Sequence, residues 1–203
     1  MQLEGAVINF LGDSITEGCG VALPENRFVD RIAAQVDAIC RNYGIGGTRI
    51  ARQQVPSGEP IWDLYFASRV EDMEADADLA VVFGGTNDCG HGDAPLGTME
   101  DRTEDTFYGG LHVLYSALLR KFPRVVVLTP LHRLNEEAFS PNLETYVKIV
   151  REVAGFYQLP VLDLYACSAV DPADPDYVPD GLHPNDKGHA VLAAEILDFL
   201  KDL

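Results

Sequence analysis

The chain has 203 residues, 47% of them hydrophobic and 23% charged, enough to bury the core of one globular domain. Its 15 basic and 32 acidic residues leave a net charge of −17. That balance argues against nucleic acid or an anionic membrane as partners, because Lys and Arg hold both by neutralising phosphate.

The longest apolar stretches run about five to six residues, whereas a membrane-crossing helix needs about 20. No low-complexity tract, repeat or linker divides the chain, so a single domain over residues 1–203 is expected. The opening Met1-Gln2-Leu3-Glu4-Gly5 lacks the basic start and apolar core of a secretory signal, which makes the expected location cytoplasmic. Cys19, Cys40, Cys89 and Cys167 are widely spaced, with no Cys-x-x-Cys pair and no zinc spacing. Reduced thiols, two or more of them buried, are expected, with no metal or other cofactor.

In chain order, the first strand-like run covers residues 7–11 and delivers Gly12-Asp13-Ser14-Ile15-Thr16-Glu17-Gly18. A strand that hands a serine into a glycine-bounded turn exposes it at its carboxyl end, where open α/β sheets place their ligands. Asp-Ser between glycines is also ordinary turn chemistry, so the motif does not stand alone. Residues 27–39 set Phe28, Ile32, Ala33, Val36 and Ile39 three and four apart, the pattern of an amphipathic helix. Residues 39–43 read as a short strand running into Asn42-Tyr43-Gly44-Ile45-Gly46-Gly47-Thr48. Those glycines permit positive φ and leave backbone N–H groups free to stabilise an oxyanion. Their spacing matches neither a dinucleotide fingerprint nor a P-loop.

Residues 63–73 are a helix candidate, and Trp62 and Tyr65 fit a core stripe better than the floor of a sugar cleft. Residues 79–83 form a clear strand ahead of Gly84-Gly85-Thr86-Asn87-Asp88. The Asn87 amide can aim an N–H at the same oxyanion, while Asp88 is assigned to holding the loop by hydrogen bonds. Residues 106–121 read as a long helix, 125–128 as a β-branched buried strand, and 143–157 as a further helix. A short strand at 161–164 and a terminal helix at 187–200 close the series.

Ahead of that helix stands Asp180-Gly181-Leu182-His183-Pro184-Asn185. Asp and His at i and i+3 on a turn can sit side by side. Asp180 would accept the Nδ1–H of His183 and leave Nε2 to take a proton from Ser14. Asn185 or Asp186 would cap the helix.

About five strand–helix alternations argue a parallel sheet with helices on both faces, and right-handed crossovers gather the strand carboxyl ends on one edge. The loops at 48–62, 88–105 and 130–142 are the longest irregular stretches and are expected to face substrate.

The four blocks, in this order, resemble the SGNH hydrolase superfamily, also called the GDSL esterases and lipases. The blocks are Gly-Asp-Ser-Ile, the Asn-x-Gly-x-x-Gly loop, Gly-x-Asn-Asp and Asp-x-x-His; Ile15 stands where the family name has leucine. The resemblance implies a three-layer α/β/α sandwich, flavodoxin-like, with a central parallel sheet of about five strands. It implies Ser14 as nucleophile, with Asp180 and His183 completing a triad. Ser14, Gly47 and Asn87 would supply the oxyanion-hole donors.

The chemistry is coherent on its own terms. A neutral serine hydroxyl needs an adjacent base, and His183 would take its proton, then protonate the leaving alcohol. The expected activity is therefore a serine esterase acting through an acyl-enzyme on a small-molecule ester, with an acetylated carbohydrate as first choice. Lysophospholipase or thioesterase chemistry at the same site is the runner-up. Two other classes stand beside it. One is metal-dependent hydrolysis through Asp13, Asp88, His91, Asp180 and His183; the other is a non-catalytic carbohydrate-binding protein. Asp13, Arg49, His91 and His132 are further candidates for substrate contact, whereas His112 and His189 lie within helices and read as structural. The sequence sets no oligomeric state.

Overall fold

The computed structural model describes residues 2–203. Its five strands are β1 (Val7–Gly12), β2 (Ile39–Gly44), β3 (Leu79–Phe83), β4 (Val125–Leu128) and β5 (Val161–Leu162). They form one parallel sheet in the order β2-β1-β3-β4-β5. The helices are α1 (Ser14–Glu17), α2 (Phe28–Val36), α3 (Thr86–His91), α4 (Phe107–Lys121), α5 (Leu143–Phe156), α6 (Leu164–Cys167) and α7 (Asp186–Lys201).

Strand side chains alternate between two apolar layers, as the two-residue period of a strand requires. Ile8, Phe10, Leu79, Val81, Phe83, Val126 and Leu128 pack with Phe28 and Ile32 of α2 and Leu192 and Ile196 of α7. Leu11, Ala80, Val82, Val125 and Val127 pack the other way, with Leu111 and Leu114 of α4 and Val147 and Val150 of α5. Burial on both faces explains why the central strands are continuous apolar runs. The result is a three-layer α/β/α fold in which strand order reverses between β1 and β3, the place where such sheets bind ligands.

Register decides what meets there. Gly12 pairs with Gly44 on one side and with Phe83 on the other. Three strands therefore end level, and the segments that follow them emerge side by side.

The structure departs from the sequence pattern in four places. Residues 63–73 form no α-helix but two 3-10 turns, Pro60–Asp63 and Phe66–Arg69. Here tertiary bonds replace helical ones, with the Phe66 N–H donating to the Arg49 carbonyl and the Arg69 guanidinium reaching the ends of β1 and β2. The first long helix stops at Val36 because Asp37 turns left-handed (φ 51°), which releases Ile39 into β2. The last strand is cut to two residues, as Asp163 leaves the ladder to accept from Thr129 Oγ1 and Arg151. The six-residue α3 follows β3 where only a loop was expected. All four cysteines are free thiols, and only Cys89 among them is buried. No helix among the described residues is long and apolar enough to cross a membrane.

Candidate active site

Ser14 is the first residue of α1, separated from the end of β1 by Asp13 alone. Asp13 caps that helix, its Oδ1 accepting the Ile15 N–H at 3.0 Å. Burial pushes the Asp13 carboxyl up to about 6. Asp13 therefore shapes the serine turn and does not line the cleft, which corrects its reading as a substrate contact.

The neighbouring loop is drawn tight against this turn. Asn42 donates from Nδ2 to the Thr16 carbonyl at 2.6 Å and accepts the Gly44 N–H on Oδ1 at 2.8 Å. A Cβ at Gly44 would lie 2.1 Å from the Glu17 nitrogen, so only glycine permits the approach. Glu17 in turn accepts the Gly46 N–H at 2.7 Å.

Arg69, buried beneath, donates to the carbonyls of Tyr43 (2.8 Å) and Gly12 (3.0 Å) and to Thr48 Oγ1 (3.1 Å). Burial pushes its pKa down to about 10, against the pull of the nearby Asp13 carboxylate. One side chain thus ties β1, β2 and the glycine loop together. Nothing in the local sequence around residue 69 signals this role.

Ser14 Oγ lies 3.0 Å from His183 Nε2, and His183 Nδ1 lies 2.7 Å from Asp180 Oδ2. Asp180 Oδ1 also accepts the backbone N–H groups of Leu182 (2.9 Å) and His183 (2.7 Å), which locks the turn. Partial burial alone would raise the Asp180 pKa. The bonds from the His183 backbone and ring and from Leu182 outweigh it and hold the carboxyl below its ordinary value. An ionised Asp180 keeps the ring proton on Nδ1 and leaves Nε2 as the acceptor for the serine proton. Asn185 caps α7 through the Lys187 and Gly188 N–H groups, so capping and this relay use different residues of one loop.

Asn87, in α3, donates from Nδ2 to the Thr48 carbonyl at 3.0 Å. Asp88 beside it accepts the Ile50 and Ala51 N–H groups at 3.0 and 2.9 Å, the loop-holding role expected of it. Burial pushes its carboxyl up to about 6 despite those donors. Ser14, Gly47, Asn87 and His183 line one open cleft of about 490 Å³, walled also by Glu17, Ile61, Trp62, Arg133 and Leu182. Among the described residues, none of the turn, loop and cap backbone hydrogen bonds uses the Ser14 or Gly47 N–H, and as the first residue of α1 Ser14 has no carbonyl one turn earlier in its helix to donate to. Both donors, with the second Asn87 amide hydrogen, remain available to an oxyanion.

The other candidates divide. His91 lines the cleft with both ring nitrogens engaged by Arg49 and Asn87. Arg49 is buried and does not line it. His132 points away, pairing with Glu136 at 3.0 Å and lying 3.8 Å from the Tyr165 ring. Its neighbour Arg133 lines the cleft instead. Trp62, expected in the core, is 42% exposed and covers Gly47, where a Cβ would sit 2.5 Å from the indole.

Among the described residues, no three His, Cys, Asp or Glu side chains are grouped to hold a metal ion. A larger hollow of about 640 Å³ lies at the opposite edge of the sheet, beside Glu4, Asp78 and Arg124, and is lined by neither serine nor histidine.

Residues 10–191 match the model of the GDSL-like lipase/acylhydrolase family. None of the curated proteins compared with the chain matches it. Among solved structures, a Lactobacillus plantarum protein is 30% identical over 98% of both chains, with a TM-score of 0.83. The M. smegmatis aryl esterase shares the fold at 19% identity and a TM-score of 0.76, covering 98% of this chain and 100% of its own. A member of the lipolytic protein G-D-S-L family from Veillonella parvula does so at 17% identity and 0.67, with the same coverage. Matched along most of its length, and carrying the motif serine within bonding distance of the motif histidine, the chain belongs to the GDSL-like lipase/acylhydrolase family and is an ester-hydrolysing enzyme.

Proposed function

We propose that the protein is a serine esterase that works through an acyl-enzyme on esters of short acyl groups, with an acetylated sugar or another small ester as substrate. The Ser14–His183–Asp180 hydrogen-bond chain carries this reading. In the first half-reaction Ser14 Oγ attacks the ester carbonyl while His183 Nε2 takes its proton. The Ser14 and Gly47 N–H groups and the Asn87 amide receive the negative charge that develops on the carbonyl oxygen. The same imidazolium then protonates the leaving alcohol, and water repeats the sequence to free the acid.

The cleft supports the choice of substrate. It is open and edged by a half-exposed indole at Trp62, a flat surface suited to one face of a sugar or aromatic alcohol. Ile45, Ile61 and Leu182 add apolar lining on which a small acyl group can rest.

A p-nitrophenyl ester series from acetate to dodecanoate tests this, with Ser14→Ala and added EDTA in parallel. Turnover should be highest for the shortest esters, ignore EDTA and fall at least about 10⁴-fold in Ser14→Ala. An optimum at octanoate or beyond would move the assignment to lysophospholipids or long-chain thioesters. Turnover that survives Ser14→Ala would overturn the serine mechanism.

A further inference from the structure

Arg49, His91 and Asn87 form a directed chain whose polarity follows from donor chemistry alone. A guanidinium only donates, and Arg49 Nη2 lies 2.7 Å from His91 Nδ1. Nδ1 is therefore the acceptor, and the ring proton sits on Nε2. That Nε2–H points at Asn87 Oδ1, 3.1 Å away. The amide is thereby set, with Oδ1 toward His91 and Nδ2 toward the Thr48 carbonyl at 3.0 Å. One amide hydrogen is left for the cleft that Asn87 lines.

The far end of the chain is held as well. Arg49 donates from Nη1 to the Trp62 carbonyl at 3.1 Å, and Asp88 fastens the two residues after Arg49 to α3. Burial, together with the Arg49 and Arg133 cations, keeps the His91 pKa below the ordinary histidine value. The ring thus stays in the neutral form that the chain requires.

We propose that His91 and Arg49 are positioning residues that hold the Asn87 amide with its free N–H aimed at the oxyanion, and that they act on turnover only through Asn87. The inference rests on the reading of Asn87 as an oxyanion donor. With no free ring nitrogen, His91 has nothing left to offer a substrate by hydrogen bonding. Without it, the Thr48 carbonyl alone would restrain the amide, which could then rock about its last torsion and misplace the donor.

The test is a double-mutant cycle on p-nitrophenyl acetate, with melting temperatures measured alongside. His91→Ala should lower kcat roughly 10-fold, short of the 10²–10³ for losing a donor outright, with KM within about twofold. In the Asn87→Ala background the same substitution should change kcat less than about twofold. His91→Gln, which can still present an N–H to Asn87 Oδ1, should recover most of the loss. His91→Leu, which keeps bulk but not the donor, should behave as Ala does and serves if Ala folds poorly.

Wild-type kcat in both His91→Ala and His91→Leu would overturn the proposal. So would an equal loss in both Asn87 backgrounds, which would mean that His91 acts without Asn87. Ser14→Ala and Asn87→Ala separate the two failures. Turnover surviving Ser14→Ala refutes the serine mechanism, and wild-type turnover in Asn87→Ala refutes the donor role. If both variants are impaired while the His91 variants match wild type, only the positioning role fails.

Discussion

Asn87 and Asp88, on one side of the cleft, are 7% and 5% exposed, whereas the side chains of Asp180 and His183 across it are 56% and 24% exposed. The buried side is a lattice of fixed donors and acceptors that joins α3 to the segment after β2. The exposed side is one turn, closed by the Asp180 carboxylate on its own loop. The difference follows from the work each side does. Donors that meet a developing charge gain from a low dielectric and from not having to reorganise. A base that must pass protons between serine, alcohol and water gains from solvent access.

If that contrast is right, the buried donor should matter more than the exposed carboxylate. Asn87→Ala is expected to lower kcat by roughly 10²–10³. Asp180→Ala should cost only about 10–10², because water can partly replace a carboxylate already in contact with solvent and the Coulomb attraction is screened there. Parallel kinetics on one short-chain ester would check this. A larger loss at Asp180 than at Asn87 would break the comparison.

The next effect concerns stability. Each Asp88 oxygen accepts a backbone N–H, and asparagine can offer an acceptor to only one of them. Asp88→Asn should therefore destabilise the fold by about 2 kcal/mol, or roughly 4–8 °C in Tm. A matching Asp180→Asn on the exposed side should shift Tm by less. Thermal unfolding of the two variants side by side would decide it.

The smallest expected effect is a net one, since three buried groups titrate in opposite senses. His189 accepts the Phe28 N–H, and burial pushes its pKa from the ordinary 6.5 down to about 4. Its unfolded form gains a proton first, so its contribution is present above about 6.5 and is lost as pH falls toward 4. Asp13 and Asp88, pushed up to about 6, work the other way, and their contribution is lost as pH rises from about 4 through 6. Two carboxyls outweigh one histidine, so the Tm of wild type should fall modestly as pH rises from 4 to 6. The gap between wild type and His189→Asn should narrow from pH 7 to pH 4. A constant gap would remove His189 from the account.

Much of the serine–histidine–aspartate relay was legible in the chain because each part is local. A strand followed by Gly12-Asp13-Ser14, and an aspartate three residues before His183, specify turns whose geometry is set within a few residues. The same holds for the central strands β1, β3 and β4, whose apolar runs reflect burial on both faces. Arg69 was not legible, because its three acceptors lie 21 to 57 positions away in the chain. Trp62 misled for a related reason: its spacing fits a helix, yet the segment is held in 3-10 turns by contacts to distant backbone. Of the neighbours His132 and Arg133 only Arg133 lines the cleft, and no composition rule sets that.

The sequence by itself determined the strand–helix alternation, the serine turn, the Asp180–His183 pair and the Asn185 cap of α7. All of these depend on torsions and hydrogen bonds within a few residues of one another. The tertiary structure alone decided that three strands end level at Gly12, Gly44 and Phe83, that Trp62 covers Gly47, and that Arg49 reaches His91 while His91 reaches Asn87. Those outcomes depend on strand register and on side chains from separate loops competing for the same few acceptors, a competition that exists only once the chain has packed.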